Sequence, residues 1–237
     1  MSLFIPVTAT CSKCGEQISV NLSASVNASR RPDLRAAIMD KSFQATSCPA
    51  CQTTIRLPVH LTYIDVERGQ WLLVEDTARQ PDWAMAEAEA DMLYAESFGR
   101  AAPPLQRETG LAMKPRLVFG WAALREKLIA QDASLDDVVL ELLKISILRN
   151  VPSSPLADTT ELRLVRADAD TLTLRWMNAV NEEGIAELPL ERGLYDEFAG
   201  SLEAWADLQA DLQAGLFVDM KRILITPVRE AAGEMAG

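Results

Sequence analysis

Histidine is nearly absent from this chain: His60 is the single one in 237 residues. Catalysis that pairs an imidazole with serine or cysteine, and metal sites built from several imidazoles, have almost no material to use. His60 falls at the expected end of a strand, where a lone histidine reads as a packing or surface residue. Long apolar runs are missing as well, and none approaches the roughly 20 residues that carry a helix across a bilayer. There is no glycine-rich phosphate loop and no nucleophile elbow. Positive charge is scarce, with 23 Lys and Arg against 34 Asp and Glu and a formal net charge of −11. The imbalance is uneven: the first 75 residues hold seven basic and six acidic side chains, and the remainder holds 16 and 28. A near-neutral first part and an acidic remainder disfavour a long phosphate-binding surface, so nucleic acid is not the expected partner. Residues 1–10 have neither the basic start nor the apolar core of a secretory leader, and a cytoplasmic location is expected.

Cysteine is also scarce, but its four copies fall in two pairs, Cys11-Ser12-Lys13-Cys14 and Cys48-Pro49-Ala50-Cys51. Two C-x-x-C knuckles a few dozen residues apart can close a tetrahedron of thiolates around one Zn²⁺. Gly15, just after the first knuckle, permits the left-handed backbone such a turn needs; the second knuckle has Gln52 there. A thioredoxin-like redox pair would sit at a helix N-terminus, whereas here Ile18, Val20 and Leu22, and again Ile55, Leu57 and Val59, alternate with other residues as strands do. Structural disulfides are disfavoured without a secretory leader. A catalytic zinc keeps an open position, and four cysteines close it. The prediction is one structural Zn²⁺ held by Cys11, Cys14, Cys48 and Cys51.

The halves around the knuckles align at a constant offset of 37 residues, pairing Cys11 with Cys48, Cys14 with Cys51, Ile18 with Ile55 and Leu22 with Val59. This predicts a duplicated strand-knuckle-strand unit. The expected fold class is α+β: an N-terminal zinc-ribbon-like β domain over residues 1–75, a helical segment with a linker over 76–150, and an α+β region over 151–237. Within the first, Pro32 opens a short helix bearing Leu34, Ala37 and Ile38, and a hairpin turns at residues 66–69 with Trp71 packing on the ribbon. A helix over 82–98 buries Trp83, Ala90, Leu93 and Tyr94 and stops at Gly99, residues 100–114 form a linker or surface loop, and another helix follows over 120–131. Ser134 caps the next helix, whose core stripe is Leu135, Val138, Val139, Leu142 and Ile145, with Asp136 and Asp137 as partners of the helix dipole. Pro152 and Pro155 break the pattern before a three-stranded meander that starts near Glu161. Two short helices and a disordered tail complete the chain.

The knuckles, the helical insert, the alternating strand after Cys51 and the Tyr63-Ile64-Asp65 hairpin together resemble the bacterial CpXC proteins over about the first 148 residues. The helix with Leu135, Asp136, Asp137, Glu141 and Lys144 is similar to that family's C-terminal helical part. The resemblance implies zinc bound by the same four cysteines and carries no activity to transfer.

Function is therefore expected to be non-enzymatic: a zinc-ribbon module and an acidic remainder that bind another protein. Trp83, Tyr94 and Trp121 would make an aromatic partner patch if exposed. The alternatives are a nucleic-acid-binding ribbon, with Arg30, Arg31 and Arg35 as its basic patch, or an enzyme using thiols or the carboxylates Asp65, Asp136 or Glu141.

Overall fold

The computed structural model describes residues 3–11, 13–57, 59–150 and 159–225. Ten strands and eight helices make an α+β fold, with three sheets among the described residues. The chain begins with β1 (Leu3–Thr10), β2 (Gln17–Asn27) and α1 (Pro32–Met39), then β3 (Ala45–Ser47), β4 (Thr54–Arg56), β5 (Leu61–Asp65) and β6 (Gln70–Glu75). A 3₁₀ turn over Thr77–Asp82 leads to α2 (Trp83–Phe98), α3 (Pro104–Leu111), β7 (Lys114–Phe119), α4 (Gly120–Asp132) and α5 (Asp137–Asn150). The last part holds β8 (Thr160–Ala167), β9 (Thr171–Asn178), β10 (Gly184–Glu191), α6 (Arg192–Ala199), α7 (Ala206–Gln213) and α8 (Lys221–Leu224).

The main sheet has the order β1-β2-β5-β6-β7, with β2 parallel to β5 and β6 parallel to β7. Its fifth strand thus lies beyond the expected boundary at Glu75, and the sheet draws on both sides of it. Side chains alternate across a strand, so β6 and β7 feed two cores. Leu72, Val74 and Val118 face α1 and α4, where Ile38, Leu124 and Leu128 pack on them. Trp71, Leu73, Leu117 and Phe119 face α2 and meet Trp83, Ala86, Ala90 and Phe217. Trp71 therefore packs edge-on to Tyr94 of α2, with ring centroids 5.1 Å apart, and not on the knuckles. The antiparallel meander β10-β9-β8 closes over α5 through Leu162, Leu164, Leu172, Leu174 and Trp176, and α4 lies between the two sheets, touching β6, β7 and β8.

Several local expectations change. Residues 100–114 contain α3, because Pro104 takes the first helical position, where its missing N–H costs nothing. The cap of α5 is Asp136, whose Oδ1 accepts the N–H groups of Val138 (2.8 Å) and Val139 (3.2 Å); Ser134 instead sits left-handed at φ 55° after α4. Leu93 is exposed, since α2 buries a narrow face built on Ala86 and Ala90. The strand after the second knuckle stops at Arg56, and Leu57 and Val59 are buried beyond it. The proline break at 151–156 and the tail at 226–237 lie outside the described residues.

Candidate metal centre

Each knuckle is the turn of an antiparallel hairpin. The first is closed by the pair Thr10 and Gln17, the second by Ser47 and Thr54, so the closing pairs keep the offset of 37. The hydrogen bonds repeat too. The Cys11 N–H donates to the Glu16 carbonyl (2.8 Å) and the Gly15 N–H to the Cys11 carbonyl (2.9 Å). The Cys48 N–H donates to the Thr53 carbonyl and the Gln52 N–H to the Cys48 carbonyl, both at 2.9 Å. Gly15 and Gln52 occupy the same left-handed place, at φ 76° and 59°. The duplication read from the spacing is thus a duplication of backbone geometry.

The hairpins belong to different sheets and share no ladder among the described residues. Their tips meet at sulfur. The Sγ atoms of Cys11, Cys14, Cys48 and Cys51 all lie within 4.8 Å of one another. Cys11 is 3.7 Å from Cys51 and Cys14 is 3.6 Å from Cys48, each contact crossing between hairpins. A tetrahedron with metal–sulfur bonds of about 2.3 Å has edges of about 3.8 Å, so the four ligand atoms are spaced to hold one metal ion. Cys11 and Cys48 are buried, Cys51 is half-buried and Cys14 is exposed.

The thiols of the set do not lose their protons alike. The Thr53 hydroxyl, 3.4 Å from the Cys51 sulfur, and the Thr53 amide draw the Cys51 thiol down to about 6. At Cys14 the Glu16 amide favours the thiolate, but desolvation and the sulfurs of Cys48, Cys51 and Cys11 outweigh it and carry the thiol up to about 12. Adjacent thiolates repel, so the first proton leaves easily and the last does not, until a cation sits among them.

The other candidate residues do not join this site. The His60 Nδ1 is 3.0 Å from the buried Glu75 carboxylate, with most of the ring in solvent. Asp65 is fully buried and clasps the β5–β6 turn, accepting from the Ser29 hydroxyl (3.1 Å) and from the Arg68 amide (3.2 Å) and guanidinium (3.0 Å). Asp136 is a helix cap. Arg31 and Arg35 are paired with Asp33 and Asp132, and Trp83, Tyr94 and Trp121 are buried or half-buried, so they offer no aromatic patch.

Glu141 belongs to a buried charge network that sequence reasoning missed. Its Oε1 accepts from Lys144 (2.8 Å) and its Oε2 from the Met220 N–H (2.9 Å). Burial, reinforced by Asp219 and Glu126, still raises its carboxyl to about 7 against the pull of Lys144. Lys144 also meets Glu126 at 2.5 Å, and Arg163 joins Glu126 (2.9 Å), Glu161 (2.7 Å) and Asp219 (2.6 Å). Asp137 is no simple dipole partner: Arg116 and Lys127 hold it at 2.7 and 3.0 Å, and its carboxyl lies far below the usual range despite burial. In the sequence, charged residues on these helices, on β8 and before α8 look solvated, and only the tertiary structure shows that another layer covers them.

No helix among the described residues is long and apolar enough to cross a membrane. Searches of curated proteins and of solved structures found no match. One family model, described as CpXC protein, matches residues 9–144. That span takes in both knuckles, strands β2, β5, β6 and β7 of the main sheet and the first half of α5, more than half of the chain, and the protein therefore belongs to the CpXC family.

Proposed function

We propose that the four cysteines hold one structural Zn²⁺ and that the chain is a non-enzymatic cytoplasmic protein that works by binding another protein. The observation that carries the metal reading is the closed set of four sulfurs where two hairpins that share no ladder among the described residues meet. Four thiolates select a soft or borderline ion and favour zinc over calcium or magnesium. The strands β3 and β4 are three residues each, too short to persist alone, so the metal would supply their stability.

The interaction reading rests on exposed apolar side chains. Met92 of α2 is 60% exposed, and Leu105 and Leu111 of α3 are 74% and 89% exposed. These helices pack together, and a partner would cover their outer face. The carboxylates considered for catalysis, Asp65, Asp136 and Glu141, are each engaged in holding the fold. Two measurements test the proposal. Chelation should lower the melting temperature of the purified protein, and re-addition of zinc should restore it. A Leu105→Glu, Leu111→Glu double variant should melt like the wild type yet fail to retain a partner that the wild type retains. A melt indifferent to chelation would refute the structural metal, and retention by the variant would refute this face.

A further inference from the structure

Beyond the interaction reading lies a second site at the seam between the second knuckle's hairpin and the meander. A cleft of about 400 Å³ separates β4 and the residues after it from the β9–β10 turn. The edges of the buried Leu57, Val59 and Trp121 and the exposed Val180 supply apolar wall, and Arg56, Glu182 and Asp76 contribute charged groups to the lining. A smaller cavity of about 150 Å³ nearby is lined by Lys41, Arg125 and Arg175. Four cations thus line one seam of a chain whose formal net charge is −11.

Three of them converge on a single carboxylate. Glu182 is 3.3 Å from the Lys41 ammonium and 3.4 Å from the Arg56 guanidinium, and it accepts a short hydrogen bond from Arg125. The cations come from three separate places in the N-terminal part: the turn after α1, β4 and α4. Glu182 comes from the tip of a distant hairpin, where a non-glycine residue is held at φ 57° and its neighbour Val180 is 77% exposed. Arg125 is only 8% exposed, and a buried guanidinium left without an anion is costly. The cradle therefore demands a carboxylate or its like, and Glu182 supplies one from within the chain.

We propose that this cleft is a binding site for small organic carboxylates with an apolar body, and that Glu182 is its internal, displaceable ligand. The incoming carboxylate takes the place of the Glu182 side chain at Arg56 and Arg125, and the apolar body lies along Leu57, Val59 and Trp121. A tethered carboxylate competes at an effective concentration on the order of millimolar, so an external ligand needs the apolar wall to win.

Isothermal titration of the metal-loaded full chain with octanoate, and separately with inorganic phosphate, tests this. Octanoate should bind saturably and phosphate at least tenfold more weakly, about 1.4 kcal/mol by the usual conversion. Glu182→Gln, which removes the competing charge and keeps the shape, should tighten octanoate binding at least tenfold. Arg56→Gln, at a partly exposed position, should abolish binding without lowering the melting temperature by more than a few degrees. The proposal is overturned if octanoate gives no saturable heat with wild type and Glu182→Gln alike, if Glu182→Gln binds no tighter, if phosphate binds as well as octanoate, or if Arg56→Gln binds unchanged.

Discussion

At position 52 the second knuckle holds a glutamine in a left-handed backbone, where the first knuckle has Gly15. The site thus tolerates a side chain at that place, and a Cβ built on Gly15 meets nothing within 4 Å. Gly15→Ala should therefore cost only the left-handed penalty, about 1 kcal/mol, and leave metal content unchanged; denaturant melts of the loaded protein check this. Glu141 gives a second prediction. Its folded carboxyl titrates near 7, above the unfolded value of about 4.3. The folded state thus holds this proton more tightly, and the contribution to stability falls as pH rises from about 4.3 to about 7. Asp137, Asp219 and Glu126 are shifted down, so their contributions are present above the ordinary carboxylate range and fade below it. Subtracting the stability curve of Glu141→Gln from that of the wild type, both metal-loaded, should leave a limb that declines between about pH 4.3 and 7. A flat difference would contradict the assignment. The four-cysteine cluster is legible in the sequence because cysteine spacing is a local signal. The role of Glu141 is not, since its raised carboxyl depends first on burial by other layers of the fold, reinforced by Asp219 and Glu126.

Among the elements, the hairpins are the easiest to read. Alternation marks β5 and the meander, the polar turn at residues 66–69 marks the hairpin that leads to β6, and the offset of 37 marks the two knuckle units, because period two and turn residues are written over a few neighbouring positions. Elements set by tertiary context are harder. A double proline suggests a linker, yet Pro104 opens α3. Strand alternation runs through Val59 in the sequence, yet Leu57 and Val59 pack on the core without a ladder. On the proposed metal reading, the β3–β4 hairpin is the element that should depend on the ion most. Cys48→Ser, at a fully buried ligand, should expose the amides of Cys48, Gln52 and Leu57 to fast hydrogen exchange while β5 and β6 stay protected. Equal protection of both regions in that variant would show that the hairpin stands without the metal.

In the whole molecule, charge binds the family-matched part to the C-terminal region. Glu126 and Lys144 lie within the matched span, while Glu161, Arg163 and Asp219 lie beyond it, and all five are buried. Arg163→Met would leave Glu126, Glu161 and Asp219 without their shared cation and should destabilise the protein by roughly 3–5 kcal/mol, seen as an earlier denaturant midpoint. The main sheet couples the chain in the same way. The β6 edge is completed by β7, and the core over it needs Val118, Trp121, Leu124 and Leu128. A fragment ending at Glu75 should therefore show no cooperative melt even with zinc. The α+β class is readable from the succession of patterns. The parallel pairing of β6 with β7 is not, because 38 residues separate Glu75 from Lys114 and neither strand carries a local mark of its partner.

The closed centre of four thiolates stands or falls on the metal content of the purified protein, taken together with a thiol count before and after chelation. One zinc per chain is expected, with four reactive thiols appearing when the metal is removed. A metal-free protein with its cysteines already titratable, or joined as disulfides, would contradict the closed centre and make thiol redox chemistry the reading to pursue.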